Sequence, residues 1–319
     1  MKVAILTSGG DAPGMNAAIR AVVRGCLYKG MEVYGVYQGY DGLINDKIEK
    51  LKVSSVADII HRGGTILRTA RSDEFQTEEG RSIAEKNLRK RGIDVLVVIG
   101  GDGTLTGGFA FTKQTGIRVY GLPGTIDNDL GYTDSTIGFD TAVNTAVSAI
   151  GNIRDTSSSM GRTTIIEVMG RHCGDIALYA GLAGGAETIL IPEMPYDIDK
   201  IAHDTAAGMK RGKLHSIIVK AEGVDIPTQE LADILEQKTG CSTKSVLLGY
   251  IQRGGHPTAG DRILASRLGY RVSELIEANA PSCAVGIRGD DIVDYPIEEA
   301  LNMEKKSHAD FMEICSALL

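Results

Sequence analysis

Residues 95–104 read Val-Leu-Val-Val-Ile-Gly-Gly-Asp-Gly-Thr. Five apolar residues in succession, without polar alternation, are typical of a strand whose two faces are both covered by helices in a parallel sheet. The glycine-rich turn that follows carries one carboxylate, Asp102. Because open α/β sheets bind ligands where strands end and helices begin, this stretch predicts an α/β fold and a ligand site at the end of the strand.

The same pattern recurs along the chain, where short apolar runs alternate with Ala-rich or amphipathic segments. We predict strands at residues 3–6, 32–37, 95–99, 119–122, 164–168, 188–191, 216–221, 245–248 and 284–287. We predict helices at residues 15–29, 78–91, 139–156, 199–211, 228–238 and 261–279. The alternation predicts an α/β class with mostly parallel sheets. The length of 319 residues favours two lobes, and without a low-complexity linker they must be joined by ordered crossings.

Charge and cysteine content narrow the possible functions. Lys plus Arg number 34 against 41 Asp plus Glu, a net charge of −7, so we expect no nucleic-acid partner. Five widely spaced cysteines without a Cys-x-x-Cys pair argue against a disulfide framework or zinc ribbon and fit a reducing cytosol. The apolar start is too short for a signal peptide and no 18-residue apolar run follows, so we expect a cytoplasmic protein without a membrane segment.

A second acid-bearing segment, Pro-Gly-Thr-Ile-Asp-Asn-Asp, occupies residues 123–129. If it is extended, Asp127 and Asp129 point to the same side and Asn128 points away. The alternative is a turn, since Asp-Asn-Asp favours Asx-turns. Carboxylates beside a glycine-rich turn can hold Mg²⁺ and accept the proton of an attacking hydroxyl, which is the chemistry of phosphoryl transfer. Asp102 fits the same metal, with a helix cap as its alternative.

Other glycine-marked junctions suggest phosphate binding. Gly9 and Gly10 would turn backbone N–H groups towards an anion at the start of the next helix, although such a turn alone is weak evidence. Four arginines at similar junctions suggest phosphate clamps: Arg71, Arg162, Arg171 and Arg253. By contrast, Arg20 and Arg24 lie four apart on one predicted helix, a spacing usually found on solvated helix faces.

His172, Cys173 and Asp175 do not indicate a zinc site, because their spacing is wrong and no second cluster follows. We interpret Asp175 instead as the cap of a helix that starts after Gly174.

These motifs, taken in order, resemble those of the bacterial ATP-dependent 6-phosphofructokinases along essentially the whole chain. The matching segments are residues 6–16, 100–104, 123–129, 167–171, 221–223 and 251–255. The resemblance implies two similar three-layer α/β lobes with mostly parallel sheets, an active site in the cleft between them, and a homotetramer. It implies a larger ATP-binding lobe at 1–139 plus 252–302 and a smaller fructose 6-phosphate-binding lobe at 140–251 plus 303–319.

The implied reaction is ATP-dependent phosphorylation of the 1-hydroxyl of fructose 6-phosphate to fructose 1,6-bisphosphate and ADP, a committed step of glycolysis. The resemblance assigns Asp127 as the general base with Thr125 beside it, and Asp102 and Asp129 to Mg²⁺. Residues that would contact the nucleotide or the transferring group are Gly10, Tyr40, Arg71, Ser72, Gly103, Thr104 and Gly107. Residues that would hold the sugar phosphate are Met169, Gly170, Arg171, Glu222, Lys244, Tyr250, Arg253 and, from a neighbouring subunit, Arg162.

Two glycines bear on the phosphoryl donor. Relatives that use pyrophosphate typically carry Asp in place of Gly103 and Lys in place of Gly124. An Asp at 103 would crowd and repel the α-phosphate, so glycine at both positions implies ATP.

The resemblance also implies an effector site between subunits, where ADP or GDP activates and phosphoenolpyruvate inhibits. Its residues would be Arg20, Arg24, Arg154, Arg211 and Lys213, with Glu187 for a metal. The chain departs from the common pattern at Val53 and Leu214, where relatives often carry Arg and Lys. Lys244 and Tyr250 replace an Arg and a His in the sugar-phosphate site, so we expect altered and weaker fructose 6-phosphate binding.

Two rival functions share part of this pattern. NAD and lipid kinases also use Gly-Gly-Asp-Gly-Thr, but they lack the 123–129 segment with its base. A nucleotide-sensing regulatory subunit without activity would be indicated by loss of Asp127, Asp102 or Arg171, and all three are present.

Overall fold

A computed structural model describes residues 1–305 and 309–318. Within these ranges the strands are β1 Lys2–Thr7, β2 Glu32–Val36, β3 Ile48–Leu51, β4 Val95–Gly100, β5 Arg118–Pro123, β6 Thr163–Val168, β7 Thr188–Leu190, β8 Ser216–Ala221, β9 Thr243–Leu247, β10 Cys283–Arg288 and β11 Asp291–Pro296. The α-helices are α1 Met15–Tyr28, α2 Gly39–Ile44, α3 Glu78–Arg89, α4 Asp102–Thr115, α5 Phe139–Met160, α6 Asp175–Ala183, α7 Ile198–Lys210, α8 Thr228–Thr239, α9 Ala259–Glu277, α10 Ile297–Asn302 and α11 Ala309–Leu318.

The chain forms two compact units. The first comprises Met1–Ile126, Leu130–Thr141 and Arg253–Lys305, and the second comprises Asp127–Asp129, Ala142–Gln252 and the described C-terminal residues 309–318. Residues 306–308 and 319, which belong to the predicted sugar-binding lobe, lie outside the described part of the chain.

Each unit is built on its own sheet, which confirms the predicted α/β class. The first unit has seven strands in the order β11-β10-β5-β4-β1-β2-β3, with antiparallel pairing at the two edges, β2–β3 and β10–β11. The second has four parallel strands in the order β7-β8-β6-β9. Every residue of β4 is buried, and burying each of its large aliphatic side chains stabilises the fold by about 1.5–3 kcal/mol.

All nine predicted strands are present within two residues at each end. Predictions failed where the local pattern was weak. The edge strands β3 and β11 are short or half exposed. Helix α4 contains three glycines, which disfavour a helix locally, but its packing on the sheet overrides that preference. Helix α5 runs four residues past its predicted end because Ser157, inside a run of serines, is buried and hydrogen-bonded to Thr164 at 2.7 Å.

The start of α5 is fixed by a buried carboxylate on α9. Asp261 accepts hydrogen bonds from the N–H of Gly138 and of Thr141, each at 2.8 Å, and from the Thr141 hydroxyl at 2.5 Å. Burial raises the pKa of Asp261, against the lowering effect of these donors. The segment that follows residues 123–129 is therefore held to a helix of the first unit.

Helices α1 and α9 pack closely because small residues face each other. A Cβ on Gly25 would come within 2.7 Å of the Ser273 hydroxyl, and one on Gly269 within 2.7 Å of Ala21. This close approach fixes the position of α1, whose first turn follows the Gly9–Gly10 turn.

Candidate active site

The turn after β1 contains two glycines, Gly9 and Gly10, and therefore presents backbone groups instead of side chains. The N–H of Ser8 donates to the carbonyl of Ile99 at 3.0 Å, and Gly9 then adopts a left-handed φ of 82°. A Cβ on Gly10 would overlap the guanidinium of Arg253, so a side chain there requires the arginine to move. The turn leads into α1, and anions are favoured at the N-terminal end of a helix.

Arg253 therefore lies over this turn. Its Nη1 occupies the space that a side chain on Gly10 would take, and among the described residues its buried Nε has no hydrogen-bond partner. The resemblance assigned Arg253 to the sugar's phosphate. The structure adds that the same cation covers the first glycine turn, where its spare N–H suits a phosphate oxygen.

A second turn leads from β4 into α4. Gly100 is closed to any side chain, because a Cβ would overlap the hydroxyl of Thr104. Gly101 is the N-cap of α4 and no side chain caps it, so the alternative that Asp102 caps this helix is wrong. Asp102 and Gly103 are exposed in the first turn, and a Cβ on Gly103 would meet open space. The first amides of a helix lack partners within it, so this turn also suits an anion.

Tyr40 supports the second turn from inside the fold. Its hydroxyl donates to the carbonyl of Thr104 at 2.6 Å, and its ring stacks on Phe75 with centroids 4.0 Å apart. The ring also lies against Gly107, where a Cβ would come within 3.0 Å of it. Burial raises the pKa of the Tyr40 phenol, which keeps it a neutral donor. Tyr40, a predicted nucleotide residue, thus packs beneath the start of α4, against Gly107.

Arg71 is exposed and Ser72 half-buried, on an irregular segment that follows an anchored loop. Asn16 anchors this loop: its amide donates to the carbonyls of Arg62 and Gly63 at 3.1 Å, and its oxygen accepts from Ile66 N–H at 2.8 Å. The loop is therefore held to the first turn of α1.

The hydroxyl of Thr7 makes a further anchor at the end of β1. It bonds the hydroxyl of Thr65 and the carbonyl of Arg68, both at 2.9 Å. Both anchors hold the segment that leads to Arg71 at the carboxyl end of β1.

The segment at 123–129 begins in the first unit. Gly124 donates its N–H to the carbonyl of Gly100 at 2.9 Å, and a Cβ on Gly124 would come within 2.8 Å of Ile99. Thr125 lies beside Gly101, at 3.6 Å from the position of a Cβ there. Gly124 is thus closed to side chains, whereas Gly103 is open.

Asp127–Asp129 belong to the second unit. Asp127 is only 2% exposed, and its Oδ2 lies 3.3 Å from Nε of Arg171. Asn128 has a left-handed φ of 54°, so the segment is not extended and the expected alternation of side chains does not apply. Asp129 is exposed.

The loops after β6 and β8 are bound to each other through Glu222. Its Oε1 accepts the N–H of Gly170 at 3.2 Å and of Arg171 at 2.8 Å. Gly170 has φ 137°, and a Cβ there would overlap the carbonyl of Cys173. The preceding N–H, that of Met169, donates to the side chain of Gln252 at 3.2 Å. Every amide from 169 to 171 is therefore held by a side chain.

A buried lysine lies beneath these loops. Lys220 is 1% exposed, and its Nζ lies 3.2 Å from Oε2 of Glu167 on the neighbouring strand. The hydroxyl of Thr228 donates to the same carboxylate oxygen. Glu167 and Lys220 are partners in the register of β6 and β8. Each is the last but one residue of its strand.

Three of the predicted phosphate ligands lie on or beside β6 and β9, where Lys244 is the register partner of Thr164. Tyr250 is 81% exposed, and Lys244 is exposed with its Nζ 3.9 Å from Glu236. Arg162 is half-buried and its Nε has no hydrogen-bond partner among residues 1–305 and 309–318.

The predicted effector residues are divided between the two units. Glu187, Arg211 and Lys213 line one cavity of about 730 Å³ in the second unit, with Lys213 Nζ 3.4 Å from Glu187. Arg154 donates to the carbonyls of Gly184 and Gly185. Arg20 and Arg24 lie on α1 in the first unit, and Val53 and Leu214 are both exposed.

Magnesium fits the acids that are present. In the described part of the chain no three His, Cys, Asp or Glu side chains are grouped as a metal site. Magnesium usually takes only one or two carboxylates and completes its shell with water and substrate phosphates. Asp102 in the first unit and Asp129 in the second are each an exposed carboxylate, the kind of ligand that magnesium takes.

No helix among the described residues is both long enough and apolar enough to cross a bilayer.

Sequence reasoning missed several residues that hold the site: Asn16, Asn128, Lys220 and Gln252. Lys220 carried a signal, because it is the one charged residue of the strand Ser-Ile-Ile-Val-Lys-Ala. Asn16 is likewise a polar residue in an otherwise apolar first turn of α1. The prediction that Asp175 caps α6 is wrong, since Gly174 is the N-cap and no side chain caps it; Asp175 instead accepts a bond from Asn128.

Two glycine turns that suit anions and a buried carboxylate paired with an arginine fit the chemistry of a kinase. The family model described as Phosphofructokinase matches residues 2–276. The chain belongs to the phosphofructokinase family.

Individual relatives match this chain over nearly its full length. The ATP-dependent 6-phosphofructokinase of Alkaliphilus metalliredigens is 59% identical over 316 residues, covering 99% of this chain and 98% of its own. That of Clostridium tetani is 56% identical over 317 residues, covering 99% of each. The phosphofructokinase structure from Saccharomyces cerevisiae superposes with a TM-score of 0.90 at 36% identity, covering 99% of this chain and 46% of the yeast chain. The chain thus spans about half the length of the yeast protein.

Proposed function

We propose that this protein transfers the γ-phosphate of ATP to the 1-hydroxyl of fructose 6-phosphate, giving fructose 1,6-bisphosphate and ADP in glycolysis. The observation that carries the proposal is the buried Asp127 carboxylate with Arg171 at 3.3 Å, in a member of the phosphofructokinase family. The near-full-length bacterial relatives, named as ATP-dependent 6-phosphofructokinases, support the choice of substrates.

Asp127 acts as the general base. The guanidinium of Arg171 lies beside this carboxylate, which accepts the proton of the 1-hydroxyl. The same guanidinium can neutralise charge on the phosphoryl group as it moves. Thr125, beside Gly101, orients the acceptor. Catalysis of this kind is mostly positioning and charge stabilisation.

The first unit binds the donor. The amides at Gly10 and at the first turn of α4 receive the phosphates, and Arg71 with Ser72 completes the contacts. The base and ribose lie by Gly103, Thr104 and Gly107, with Tyr40 as packing behind them. Open space at Gly103 leaves room for the α-phosphate, which supports ATP over pyrophosphate as the donor.

Asp102 and Asp129 would hold Mg²⁺ together with the β- and γ-phosphates. When bound, the ion neutralises charge on the transferring group.

The second unit binds the sugar. Met169, Gly170, Arg171 and Glu222 hold its hydroxyls, and the loop geometry set by Glu222 orders them in advance. The 6-phosphate is held by Arg253, Lys244 and Tyr250, together with Arg162 from a neighbouring subunit. A homotetramer is therefore part of the proposal, as is a cytoplasmic location.

Regulation would act through the Glu187, Arg211 and Lys213 cavity, with Arg154 beside it and Arg20 and Arg24 on α1. The cavity is lined by Lys200, Arg211 and Lys213 as well as by three acids, and these cations suit the phosphates of a nucleoside diphosphate as activator and of phosphoenolpyruvate as inhibitor. Adding each effector to the enzyme at subsaturating fructose 6-phosphate tests this, and a rate that responds to neither would refute the effector assignment.

A coupled assay for fructose 1,6-bisphosphate, first with ATP and then with pyrophosphate, tests the reaction itself. We expect product with ATP and none above background with pyrophosphate. Absence of product with both donors would overturn the proposed reaction, and product with pyrophosphate alone would overturn the choice of donor.

A further inference from the structure

A buried hydrogen bond lies directly behind the base. Asn128 stands between Asp127 and Asp129, and its Nδ2 donates to Oδ2 of Asp175 at 2.8 Å. Asn128 is 3% exposed and Asp175 1%. Hydrogen bonds to a carboxylate are short and strong, and burial strengthens them further because no water competes.

The carboxylate partner is itself well placed. Asp175 is the first residue of α6, where the positive end of the helix dipole favours a negative charge. A carboxylate on a helix is a rigid acceptor. The Asn128 side chain is therefore fixed relative to helix α6 and not to a loop.

The backbone at Asn128 gives this bond its importance. Its φ of 54° is left-handed, a region that side-chain-bearing residues adopt reluctantly and Asn better than most. The dihedral angles at residue 128 set the directions in which Asp127 and Asp129 leave the turn. The hydrogen bond that fixes the Asn128 side chain therefore also fixes the positions of Asp127 and Asp129.

The other side of the base is held in a similar way. Arg171, which pairs with Asp127, also has φ 54°, and its N–H is fixed by Glu222 at 2.8 Å. The base is thus set between two left-handed residues, each restrained by a carboxylate that makes no contact with the reacting atoms in the proposed reaction.

We propose that Asn128 and Asp175 are positioning residues for phosphoryl transfer, which act on the rate by fixing the direction of the Asp127 carboxylate. The inference rests on the proposed role of Asp127 as base. It requires that weakening the pair lowers kcat while the KM values for ATP and fructose 6-phosphate stay nearly constant, because a misplaced base affects the chemical step alone.

The test is a double-mutant cycle in the full-length enzyme. N128D sets two carboxylates against each other, and we expect kcat to fall about 100-fold, since a displacement of about 1 Å can have that effect. D175N keeps the shape but loses the charge, and a fall of about tenfold is expected. The double variant N128D/D175N restores one donor and one carboxylate with their positions exchanged, so kcat should recover about tenfold over N128D.

Asp199→Asn is the matched control. Asp199 also lies in the first turn of a helix, α7, but it is exposed and pairs with Lys238 at 2.6 Å. We expect its kcat and KM values to equal those of the wild type, which would separate the loss at Asp175 from a general effect of removing a helix-terminal charge.

Recovery of kcat in the double variant, with all KM values within about threefold, would support the inference. A wild-type kcat for D175N would overturn it, and this nearly isosteric variant carries the test even if N128D does not fold. A folded double variant no more active than N128D would also overturn it. If Asp127→Asn retained the wild-type kcat, the proposed role of Asp127 as base would be refuted. That result does not depend on the outcome of the double-mutant cycle.

Discussion

The two glycine turns of the first unit present bare backbone, whereas the loops of the second unit present side chains on a restrained backbone. At Gly10 and Gly100 any side chain would overlap a neighbour, so amides are the only groups available there. At Asn128 and Arg171 the chain adopts left-handed angles without glycine, and hydrogen bonds donated to the carboxylates of Asp175 and Glu222 hold it.

The difference follows from what each region is proposed to bind. Phosphates of a nucleotide offer many equivalent oxygens, which amides and helix ends can bind without specific side chains. A sugar must be oriented to within a fraction of an ångström against a base, which requires fixed side chains. Substitutions in the first unit should therefore act by adding side-chain atoms where a neighbour already lies. Substitutions in the second unit should act by removing the hydrogen bonds that restrain the backbone.

The largest effect should come from removing the base in the second unit. Asp127→Asn leaves the side-chain volume unchanged but cannot accept the proton, and we expect kcat to fall about 10³-fold with little change in KM. Steady-state assays check this, with the exposed Asp155→Asn on α5 as the control. A loss of tenfold or less would mean that another group takes the proton.

Lys220→Met should destabilise the second unit by about 3 kcal/mol, since it leaves Glu167 without its cation in a mostly buried site. Chemical denaturation measures the loss. Lys238→Met, which breaks an exposed pair with Asp199, should cost less than about 1 kcal/mol. Equal losses in the two variants would show that burial adds nothing to the Lys220 pair.

Gly10→Ala tests the bare backbone of the first unit. The added methyl must displace the Arg253 guanidinium, and we expect kcat/KM for ATP to fall about 10²-fold, as when one preorganised donor is lost. Gly151→Ala is the matched control, because a Cβ there meets nothing within 4 Å. Unchanged kinetics in Gly10→Ala would show that the turn tolerates a side chain.

Gly103→Asp addresses the donor without disturbing the fold, because the site has open space. We expect kcat/KM for ATP to fall about tenfold through repulsion of the α-phosphate, with the melting temperature unchanged or slightly raised, since an acid suits the first turn of a helix. Gly103→Asn supplies the same volume without charge and should lose less. If Asn and Asp lose equally, crowding and not charge decides the donor.

The smallest effects should come from the exposed sugar-phosphate residues. Lys244→Arg restores a bidentate fork and Tyr250→His a stronger donor, so each should lower KM for fructose 6-phosphate about threefold. Steady-state kinetics at saturating ATP measures this. Unchanged KM in both variants would contradict the expected weakness of this site.

Sequence alone was sufficient for the parts of the fold that local patterns encode. The apolar run at β4 and the Ala-rich α1 were predicted because burial on both faces and helical periodicity leave a clear signal. Helix α4 was missed, because its glycines oppose a helix and only packing against Tyr40 and the sheet reverses that preference.

The candidate site was likewise predicted in part from the sequence and missed in part. The acids and glycines of 100–104 and 123–129 were predicted from their unusual spacing. The restraint of Asn128 by Asp175 was not, because these residues are 47 positions apart and each has an ordinary explanation in its own segment. The left-handed angle at Asn128 also removes the alternation on which the sequence argument for Asp127 and Asp129 relied.

The Glu167–Lys220 pair has a consequence for how the second sheet assembles. The two residues are partners in the register of β6 and β8, and side chains alternate faces along a strand. A slip of one residue would carry Lys220 to the opposite face, away from Glu167, and leave an uncompensated charge inside the sheet. Since the flanking positions are apolar, we expect this one charge to favour the correct strand pairing. A Lys220→Met chain should therefore refold with more misaligned species, which a slow or incomplete recovery of activity would reveal.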